Sequence, residues 1–308
     1  MTLLSVRSLT KTFRGEDGPR AAVSNLDFDL DCGEILAFLG PNGAGKTTTI
    51  KMIAALVKPD HGRVLIDGED PQCHSQCLSK IGAILEGNRN LYWRLTPIEN
   101  IEYFAGIRGI PRKKARSEGE TLLERFGLAD RMRSPVFKLS RGMQQKVAII
   151  ISLVHRPRLL LLDEPSLGLD VEAANDMNEI IQQLAGAGIG VLLTTHQLAL
   201  AEKLAQNVLI IRNGRKVLHC PLHEALRETN RRNHTISLLA PLTDVQHSHL
   251  RILGAQLQSS TVTFSGDSAV LYAVLDLLRP LEINEIRTSA RTLDDVFMEI
   301  ARHAQPAC

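Results

Sequence analysis

The sequence contains the stretch Gly40-Pro41-Asn42-Gly43-Ala44-Gly45-Lys46-Thr47-Thr48, which fits the pattern G-x-x-x-x-G-K-[ST]. It stands between a short apolar run, Ile35–Leu39, and a segment with helical spacing from Lys46 to Val57. Glycines in such a loop let successive backbone N–H groups turn toward phosphate oxygens, at the positive end of the following helix. Lys46 is placed to reach the β- and γ-phosphates, and Thr47 to bind Mg²⁺. The stretch therefore predicts a site for a nucleoside triphosphate.

Short apolar runs alternate with helical stretches from residue 35 to residue 212. Leu159–Leu162 and Gly190–Thr194 are typical of strands buried on both faces of a parallel sheet, and Val171–Ala187 is typical of a crossover helix. Apolar residues alternate with aspartates from Leu26 to Asp31, which predicts an antiparallel layer with one solvated face. Residues 97–156 are expected to form a helical subdomain. The sequence thus predicts an α/β protein with a mainly parallel sheet and an N-terminal antiparallel β layer.

The composition changes at the polar and basic stretch Glu228–His234. We expect a nucleotide-binding domain over residues 1–229 and a small accessory domain over residues 230–308. In the second domain, the predicted order strand, helix, two strands, helix, strand indicates a ferredoxin-like α+β unit. A last helix is expected from Leu293 to His303, with Thr292 and Asp295 capping its N-terminus.

Two carboxylates, Asp163 and Glu164, directly follow the apolar strand Leu159–Leu162. The first acid after such a strand is the expected Mg²⁺ partner of the Thr47 hydroxyl. The second can orient or deprotonate an attacking water. An isolated acidic pair is more often a solvated strand end, but the phosphate-binding loop favours the functional interpretation.

Further motifs resemble those of ATP-binding-cassette (ABC) ATPases. Leu139-Ser140-Arg141-Gly142-Met143-Gln144-Gln145 resembles the signature motif of that family, and it precedes the two acids in the family's order. Ser166-Leu167-Gly168-Leu169-Asp170 resembles the family's D-loop, and His196 resembles its switch histidine. Phe13 matches the aromatic on which adenine stacks, where Tyr is commoner. The resemblance covers about residues 1–225 and implies a P-loop ATPase that uses ATP and Mg²⁺.

The resemblance also implies which residues form the site. Glu164, His196 and Glu86 are the expected catalytic residues, and Thr47, Asp163 and Glu86 the expected Mg²⁺ ligands. The expected ATP contacts are Phe13, Gly40, Pro41, Asn42, Gly43, Ala44, Gly45, Lys46, Thr47, Thr48, Ser140, Gly142, Gln144 and Asp170. In ABC ATPases the signature of one subunit faces the γ-phosphate held by the other. Two ATP molecules are therefore expected in a head-to-tail homodimer, or in a heterodimer with a similar ATPase.

Three positions, in two motifs, depart from the family pattern. Arg141 stands where the first of two glycines is common in the signature, and Met143 where Gln often follows the second. Such variants occur in the drug-exporter branch. Glu86 stands where the family usually has the Gln of the Q-loop. A carboxylate there adds negative charge beside Asp163 and Glu164, and we expect it to alter metal preference. Unchanged Mg²⁺ and Mn²⁺ dependence of the ATPase in Glu86→Gln would refute this hypothesis.

Composition limits the partners. With 36 Lys and Arg residues against 34 Asp and Glu, the formal charge is +2, which argues against a dedicated nucleic-acid binder. No stretch approaches the roughly 18 apolar residues that a membrane-spanning helix needs. The first residues do not have the pattern of a signal peptide, so none is expected, and an odd cysteine count of 5 fits a reducing cytoplasm. The chain is expected at the cytoplasmic face of the membrane, bound to separate multi-span permease subunits.

Four aromatic residues lie close together after Glu86: Tyr92, Trp93, Tyr103 and Phe104. They are equally consistent with the core of the helical subdomain and with a groove for a partner, because exposed Trp and Tyr are enriched at interfaces. In the family this region receives a coupling helix from the membrane subunits. The segment from Thr292 to Ile300 resembles the closing segment of ATPases of daunorubicin-resistance-type exporters, which favours the exporter branch.

Two other function classes remain open. A soluble ABC ATPase acting on ribosomes or DNA is one, although ribosomal factors usually carry two cassettes and chromosome ATPases carry long coiled coils. The other is an unrelated P-loop kinase or GTPase, in which Ser140 and His196 would have no role. The sequence favours the exporter ATPase. It does not identify the transported molecule, because the substrate contacts are expected on another polypeptide.

Overall fold

The computed structural model describes residues 1–15, 18–85, 91–227, 232–258, 260–289 and 292–303. The chain divides into two compact units, Met1–Leu222 and His223–Cys308. The division falls after the first residue of a short helix, Leu222–Arg227, whereas the sequence predicts the boundary at the polar stretch that follows this helix. Among the described residues, no helix has the length and apolar character needed to cross a membrane.

The first unit contains two sheets and six complete α-helices in its described residues, and a seventh helix begins at its last residue. Its strands are β1 (Thr2–Gly15), β2 (Gly18–Asp31), β3 (Ile35–Leu39), β4 (His61–Ile66), β5 (Ile81–Ile84), β6 (Leu159–Asp163), β7 (Gly190–Thr194), β8 (Asn207–Arg212) and β9 (Arg215–Pro221). Its helices are α1 (Lys46–Ile53), α2 (Pro97–Ile107), α3 (Arg112–Arg125), α4 (Arg141–Leu153), α5 (Val171–Gly186), α6 (Leu198–Leu204) and α7 (Leu222–Arg227), the last of which begins at the division.

The larger sheet has the strand order β5-β6-β7-β3-β8-β9 and is parallel except for β9. Every residue of β3, β6 and β7 is buried, as their continuous apolar sequences require for strands covered on both faces. The smaller sheet is antiparallel with the order β2-β1-β4. The predicted parallel sheet and N-terminal antiparallel layer are therefore confirmed.

The main core lies between these two sheets. It joins apolar residues of β1, β2 and β4 with alternate residues of β3 and β6, and Ile50, Met52 and Ile53 of α1 belong to the same cluster. The rings of Phe28 and Phe38 link the two sheets at a centroid distance of 5.9 Å. Because α1 packs into this core, the buried apolar surface stabilises the position of its N-terminus, next to the loop that precedes it.

The predicted helical segment contains α2, α3 and α4. Thr96 and Glu99 form a capping box at the start of α2, with Pro97 in its first turn. Ser140 caps α4, because its hydroxyl accepts a hydrogen bond from the backbone N–H of Met143 at 3.3 Å. These local signals explain why the helices begin where they do.

The second unit contains β10 (Arg232–Leu238), α8 (Asp244–Ile252), β11 (Gln256–Gln258), β12 (Thr261–Gly266), α9 (Ser268–Leu278), β13 (Ile283–Ser289) and α10 (Leu293–His303). Its four strands are antiparallel in the order β11-β12-β10-β13, which is the predicted ferredoxin-like arrangement. Ile236, Val262 and Phe264 pack with Val274 and Leu278 of α9, so the helices cover one face of the sheet. As predicted, Asp295 caps α10, accepting hydrogen bonds from the Thr292 N–H and hydroxyl.

Candidate nucleotide-binding site

The candidate site lies at the carboxyl ends of β3, β7 and β6, which are neighbours in the sheet. The loop after β3 is Gly40–Gly45, Asp163 and Glu164 end and follow β6, and His196 follows β7. In open α/β sheets the carboxyl ends of the strands carry the ligand site. Strand order thus brings together three motifs that are up to 156 positions apart in the sequence.

Close packing shapes the phosphate-binding loop. Gly45 has a φ of 110°, and a Cβ added there would collide with the carbonyl oxygen of Ala22 on β2. The turn between β8 and β9 supports the loop from another side, because the Gly214 N–H donates to the Ala44 carbonyl at 2.9 Å. The antiparallel layer and the β8–β9 hairpin therefore hold the loop in the backbone conformation that its glycines permit.

Lys46 is buried at the start of α1. Its ammonium donates to the carbonyl oxygens of Gly40 and Pro41 at 2.7 and 3.2 Å, closing the loop on itself. A buried cation at a helix N-terminus, with backbone N–H groups around it, makes a strong anion site. The geometry suits phosphate.

Asp163 is 3% exposed, and two hydroxyls hold its carboxylate. The Thr47 hydroxyl donates to Oδ2 at 2.9 Å, and the Thr194 hydroxyl donates to Oδ1. The Thr47 and Asp163 oxygens thus lie side by side, as oxygen ligands of one Mg²⁺ would. In the described part of the chain, no group of three or more His, Cys, Asp or Glu residues could hold a metal by itself. This donor set fits Mg²⁺, which is usually bound by one or two protein oxygens together with phosphates and water.

Glu164 and His196 form a pair beside this carboxylate. Glu164 Oε2 lies 2.9 Å from His196 Nδ1, and the glutamate side chain is largely buried while the imidazole is half exposed. Glu164 has a φ of 53°, in the left-handed region, and its N–H donates to the Thr194 carbonyl at 3.1 Å. Such a conformation costs on the order of 1 kcal/mol or more, so packing must enforce it. In this conformation the Glu164 side chain lines the cavity described next.

These groups line a cavity of about 410 Å³. Its walls are Ala22, Asn42, Gly43, Gly45, Lys46, Thr47, Thr48, Asp163, Glu164, Leu167 and His196. The volume lies within the range of small-molecule sites, roughly 300–1,000 Å³. The predicted loop residues, both acids and the histidine therefore share one cavity. Gly40, Pro41 and Ala44 shape its loop without being part of the wall.

Leu167 of the D-loop lines this cavity, but the predicted signature residues and Asp170 of the D-loop do not. Ser140 is exposed at the N-terminus of α4, and Asp170 caps α5 by accepting a hydrogen bond from the Ala173 N–H at 2.8 Å. Gly142 is buried so closely against Ala173 that an added Cβ would lie 2.7 Å from the Ala173 Cβ. Gln144 uses its amide to hold the loop before α4, donating to two backbone carbonyls. Within one chain, these residues stand apart from the phosphate-binding cavity.

One other predicted ATP contact, Phe13, is placed differently. Phe13 is half exposed on β1, with the Lys11 ammonium 5.6 Å from its ring centroid, and it is outside the cavity wall. Glu86 lies outside the described residues. Its expected roles in catalysis and metal binding stay predictions.

Sequence reasoning missed Thr194 and the contact of Arg141. Thr194 is a fully buried hydroxyl in an otherwise apolar strand, and that exception to the apolar run was the available signal. The Arg141 guanidinium lies against Gly168 of the D-loop, with its Nη1 2.7 Å from the position of an added Cβ. Arg141 thus links the start of α4 to the segment that follows Glu164.

Comparisons with known proteins agree with this geometry. The profile of the ABC transporter family matches residues 23–167. The ABC transporter ATP-binding protein NatA of Bacillus subtilis is 34% identical over 230 residues, which are 74% of this chain and 93% of NatA. The daunorubicin resistance ATP-binding protein DrrA3 of Streptomyces coeruleorubidus is 31% identical over 92% of both chains. The bacitracin transport ATP-binding protein BcrA of Bacillus licheniformis is 37% identical over 75% of this chain and 73% of BcrA.

Solved structures give the same result. An ATP-binding subunit of an ABC transporter matches with a TM-score of 0.65 and 32% identity, covering 73% of this chain and 92% of its own. A dimeric cassette in a post-hydrolysis state with ADP and Pi matches with a TM-score of 0.65 and 25% identity, covering 71% of this chain and 99% of its own. With the phosphate-binding loop, the paired acids and the histidine in one cavity, these matches establish that the chain belongs to the ATP-binding proteins of ABC transporters and is an ATPase.

Proposed function

We propose that this chain is the ATP-hydrolysing subunit of a membrane exporter and closes head to tail with a second ATPase around two ATP molecules. One observation carries the proposal. The cavity contains the phosphate-binding loop, Asp163, Glu164 and His196, but neither Ser140 nor the N-terminus of α4. A second anion site therefore faces outward, where another chain can present its nucleotide.

Each cavity residue has a definite task in hydrolysis. Lys46 and the loop N–H groups hold the β- and γ-phosphates and offset the charge that develops on them. Thr47 and Asp163 would hold Mg²⁺, which neutralises phosphate charge when bound. Glu164 accepts a proton from the attacking water, and His196 fixes the carboxylate through the contact at 2.9 Å.

The outward-facing site follows from helix geometry. The first backbone N–H groups of a helix have no carbonyl partner within it, and in α4 the Ser140 hydroxyl accepts a hydrogen bond from one of them, the N–H of Met143. These groups lie at the positive end of the helix dipole. ATP bound in the cavity of the second chain would complete this site with its γ-phosphate. Because that contact exists only in the closed dimer, binding favours closure and hydrolysis releases it.

A surface of exposed aromatic residues is proposed as the docking site for the membrane subunits. It consists of Tyr92, Trp93, Tyr103 and Phe137, each between 44% and 57% exposed. Tyr92 and Tyr103 join their hydroxyls at 3.0 Å, and the Phe137 N–H donates to the Trp93 carbonyl at 3.0 Å. The surface is thus preorganised, and exposed Trp and Tyr are frequent binding hot spots. Most of the predicted cluster is not core, and Phe137 was not among its predicted members.

Relatives support the exporter class. Proteins named for daunorubicin resistance and bacitracin transport align over three quarters of this chain or more. We infer export of a drug, antibiotic or other small or lipidic molecule through separate multi-span subunits. This chain then works at the cytoplasmic face of the membrane.

Recovery of membrane subunits with the tagged chain tests the docking surface. The wild-type chain should purify from detergent-solubilised membranes with a multi-span protein, identified by mass spectrometry. Trp93→Ala should weaken the association about thirtyfold and lower that recovery accordingly, because a hot-spot aromatic contributes about 2 kcal/mol or more. Leu56→Ala, an exposed apolar residue elsewhere, is the matched control and should recover wild-type amounts. Equal recovery with Trp93→Ala would contradict the proposed surface.

A further inference from the structure

The outer strand of the second unit, β13, is exposed along its whole length. All seven residues from Ile283 to Ser289 are exposed. In the described part of the chain, β13 pairs only with β10, so its other edge carries unpaired backbone groups. An exposed strand edge is a template for pairing with another chain unless charge, Pro or a cover blocks it. Within β13 there is no Pro, and its two charges are of opposite sign.

The two charged residues of β13 are placed so that each can face the opposite charge when two copies of the strand pair antiparallel. Glu285 and Arg287 flank Ile286, and the Arg287 Nε donates to Glu285 Oε1 at 2.7 Å. If two copies of β13 pair antiparallel with a two-fold axis through Ile286, Glu285 of each copy lies opposite Arg287 of the other. A two-fold axis through Glu285 or Arg287 would instead place like charges opposite each other. Opposite charges in directly facing positions stabilise a strand pair, and like charges destabilise it.

The apolar side of the strand fits the same register. Ile286 lies opposite Ile236 of β10, whose side chain is in the helix-covered core, so Ile286 points to the same face. Ile286 is nevertheless 44% exposed, because no strand lies beyond it among the described residues. In the two-fold pairing each Ile286 packs against Ile286 of the second copy. The helices of both copies then lie on one face of the joined sheet.

We propose that β13 is a homodimerisation edge, on which two copies of this chain pair antiparallel about Ile286 into a continuous eight-stranded sheet. The interface is isologous, so it closes at two subunits. It is independent of nucleotide and separate from the proposed ATP-mediated closure of the first units. The second unit thereby gains a role as a link between ATPase subunits, which would raise their effective concentration.

Disulfide trapping tests the register. Ile286→Cys should crosslink two full-length chains without nucleotide, because the two introduced thiols face each other across the axis. Thr288→Cys is the matched control on the same face of the strand. Its two thiols would be four residues apart, at about 3.4 Å per residue, and should not react. The wild-type chain gives the background from its 5 cysteines. Equal crosslinking by the two variants, or none above background, would overturn the proposal.

Charge reversal in mixed chains separates pairing from effects within one chain. Glu285→Arg and Arg287→Glu each break the internal ion pair and place like charges across the axis in a homodimer. When the two variants are mixed, both facing pairs become opposite in charge, although neither chain regains its internal pair.

Both variants also carry Ile286→Cys, and one carries a mass tag, so that crosslinked mixed dimers and homodimers can be told apart. The crosslinked mixed dimer should be about tenfold more abundant than either homodimer, because two facing pairs of like charge become pairs of opposite charge. Equal amounts of mixed and single-variant dimers would overturn the proposal. Because ATP is absent, failure here leaves the ATP-driven dimer untouched, and failure of that dimer leaves this result standing.

Discussion

Asp163 depends on a neighbour that lies 31 residues further along the chain, since Thr194 and Thr47 each donate a hydrogen bond to its carboxylate. Thr194→Val keeps the shape of the side chain but leaves one buried carboxylate oxygen without its donor. We expect this to cost about 1–3 kcal/mol of unfolding free energy and to lower kcat roughly tenfold, because the carboxylate can then rotate.

Urea unfolding and steady-state ATPase rates measure both effects of Thr194→Val. Thr121→Val is the control, since that hydroxyl is exposed and bonds only to its own helix. A wild-type kcat in Thr194→Val would show that catalysis does not depend on Thr194 holding the Asp163 carboxylate in place.

Gly168 lies between Glu164 and α5, at a backbone conformation that L side chains rarely adopt. Its φ is 75°, and an added Cβ would lie 2.7 Å from the mobile end of Arg141, at Nη1. Gly168→Ala should therefore strain the backbone and displace the Arg141 guanidinium, destabilise the chain by about 1–2 kcal/mol and lower ATPase turnover. Gly186→Ala serves as control, because that site is helical with open space around it, and it should be neutral or slightly stabilising. Equal unfolding curves for the two variants would contradict this account of Gly168.

At the scale of elements, α4 carries the signature at one end and a buried histidine just beyond the other. His155 Nε2 donates to the Ile81 carbonyl at 2.9 Å, which ties the end of α4 to β5. Burial, with help from the Arg108 charge, lowers the His155 pKa from 6.5 to about 4. The folded chain therefore holds His155 neutral, while the unfolded chain protonates it near pH 6.5.

This pKa difference predicts a pH-dependent stability. The unfolded chain binds more protons than the folded chain below about pH 6.5, so stability is retained above that pH and lost as the pH falls toward 4. His155 should contribute a loss of about 1 kcal/mol between about pH 7 and pH 5.5. Unfolding curves of wild type and His155→Gln, compared across this range, isolate the contribution. Parallel pH profiles would contradict it.

Most elements could be predicted from the sequence because their signals are local. The crossover helix α5 and the hairpin β8–β9 follow from apolar spacing and from Asn213-Gly214, and α10 follows from its cap. The loop Gly40–Thr48 and the acids after β6 were likewise found by pattern. Thr194 and the Arg141–Gly168 contact could not be found that way, because strand order and helix packing, not spacing, bring those residues together. The exposure of Trp93 could not be predicted either, because a cluster of aromatic residues in the sequence is consistent with a core and with a surface.

At the scale of the whole molecule, the proposed function requires one chain to supply two incomplete halves of an ATP site. One half is the cavity with the phosphate-binding loop, Asp163, Glu164 and His196, and the other is the exposed N-terminus of α4 with Ser140. In the proposed closed dimer both halves are needed, and ATP is the ligand that joins them. Charge at Ser140 should block closure without touching the cavity, and a neutral amide at Glu164 should stop turnover and keep ATP in place.

Sedimentation of Glu164→Gln with and without Mg-ATP is the most direct test of this account. At a chain concentration low enough to separate the proposed β13 pair, where the nucleotide-free protein sediments as single chains, ATP should convert Glu164→Gln to a dimer. Glu164→Gln combined with Ser140→Arg should still bind ATP but remain a single chain. An unchanged mass of Glu164→Gln on ATP addition, or an equal dimer in the double variant, would contradict the head-to-tail ATP site.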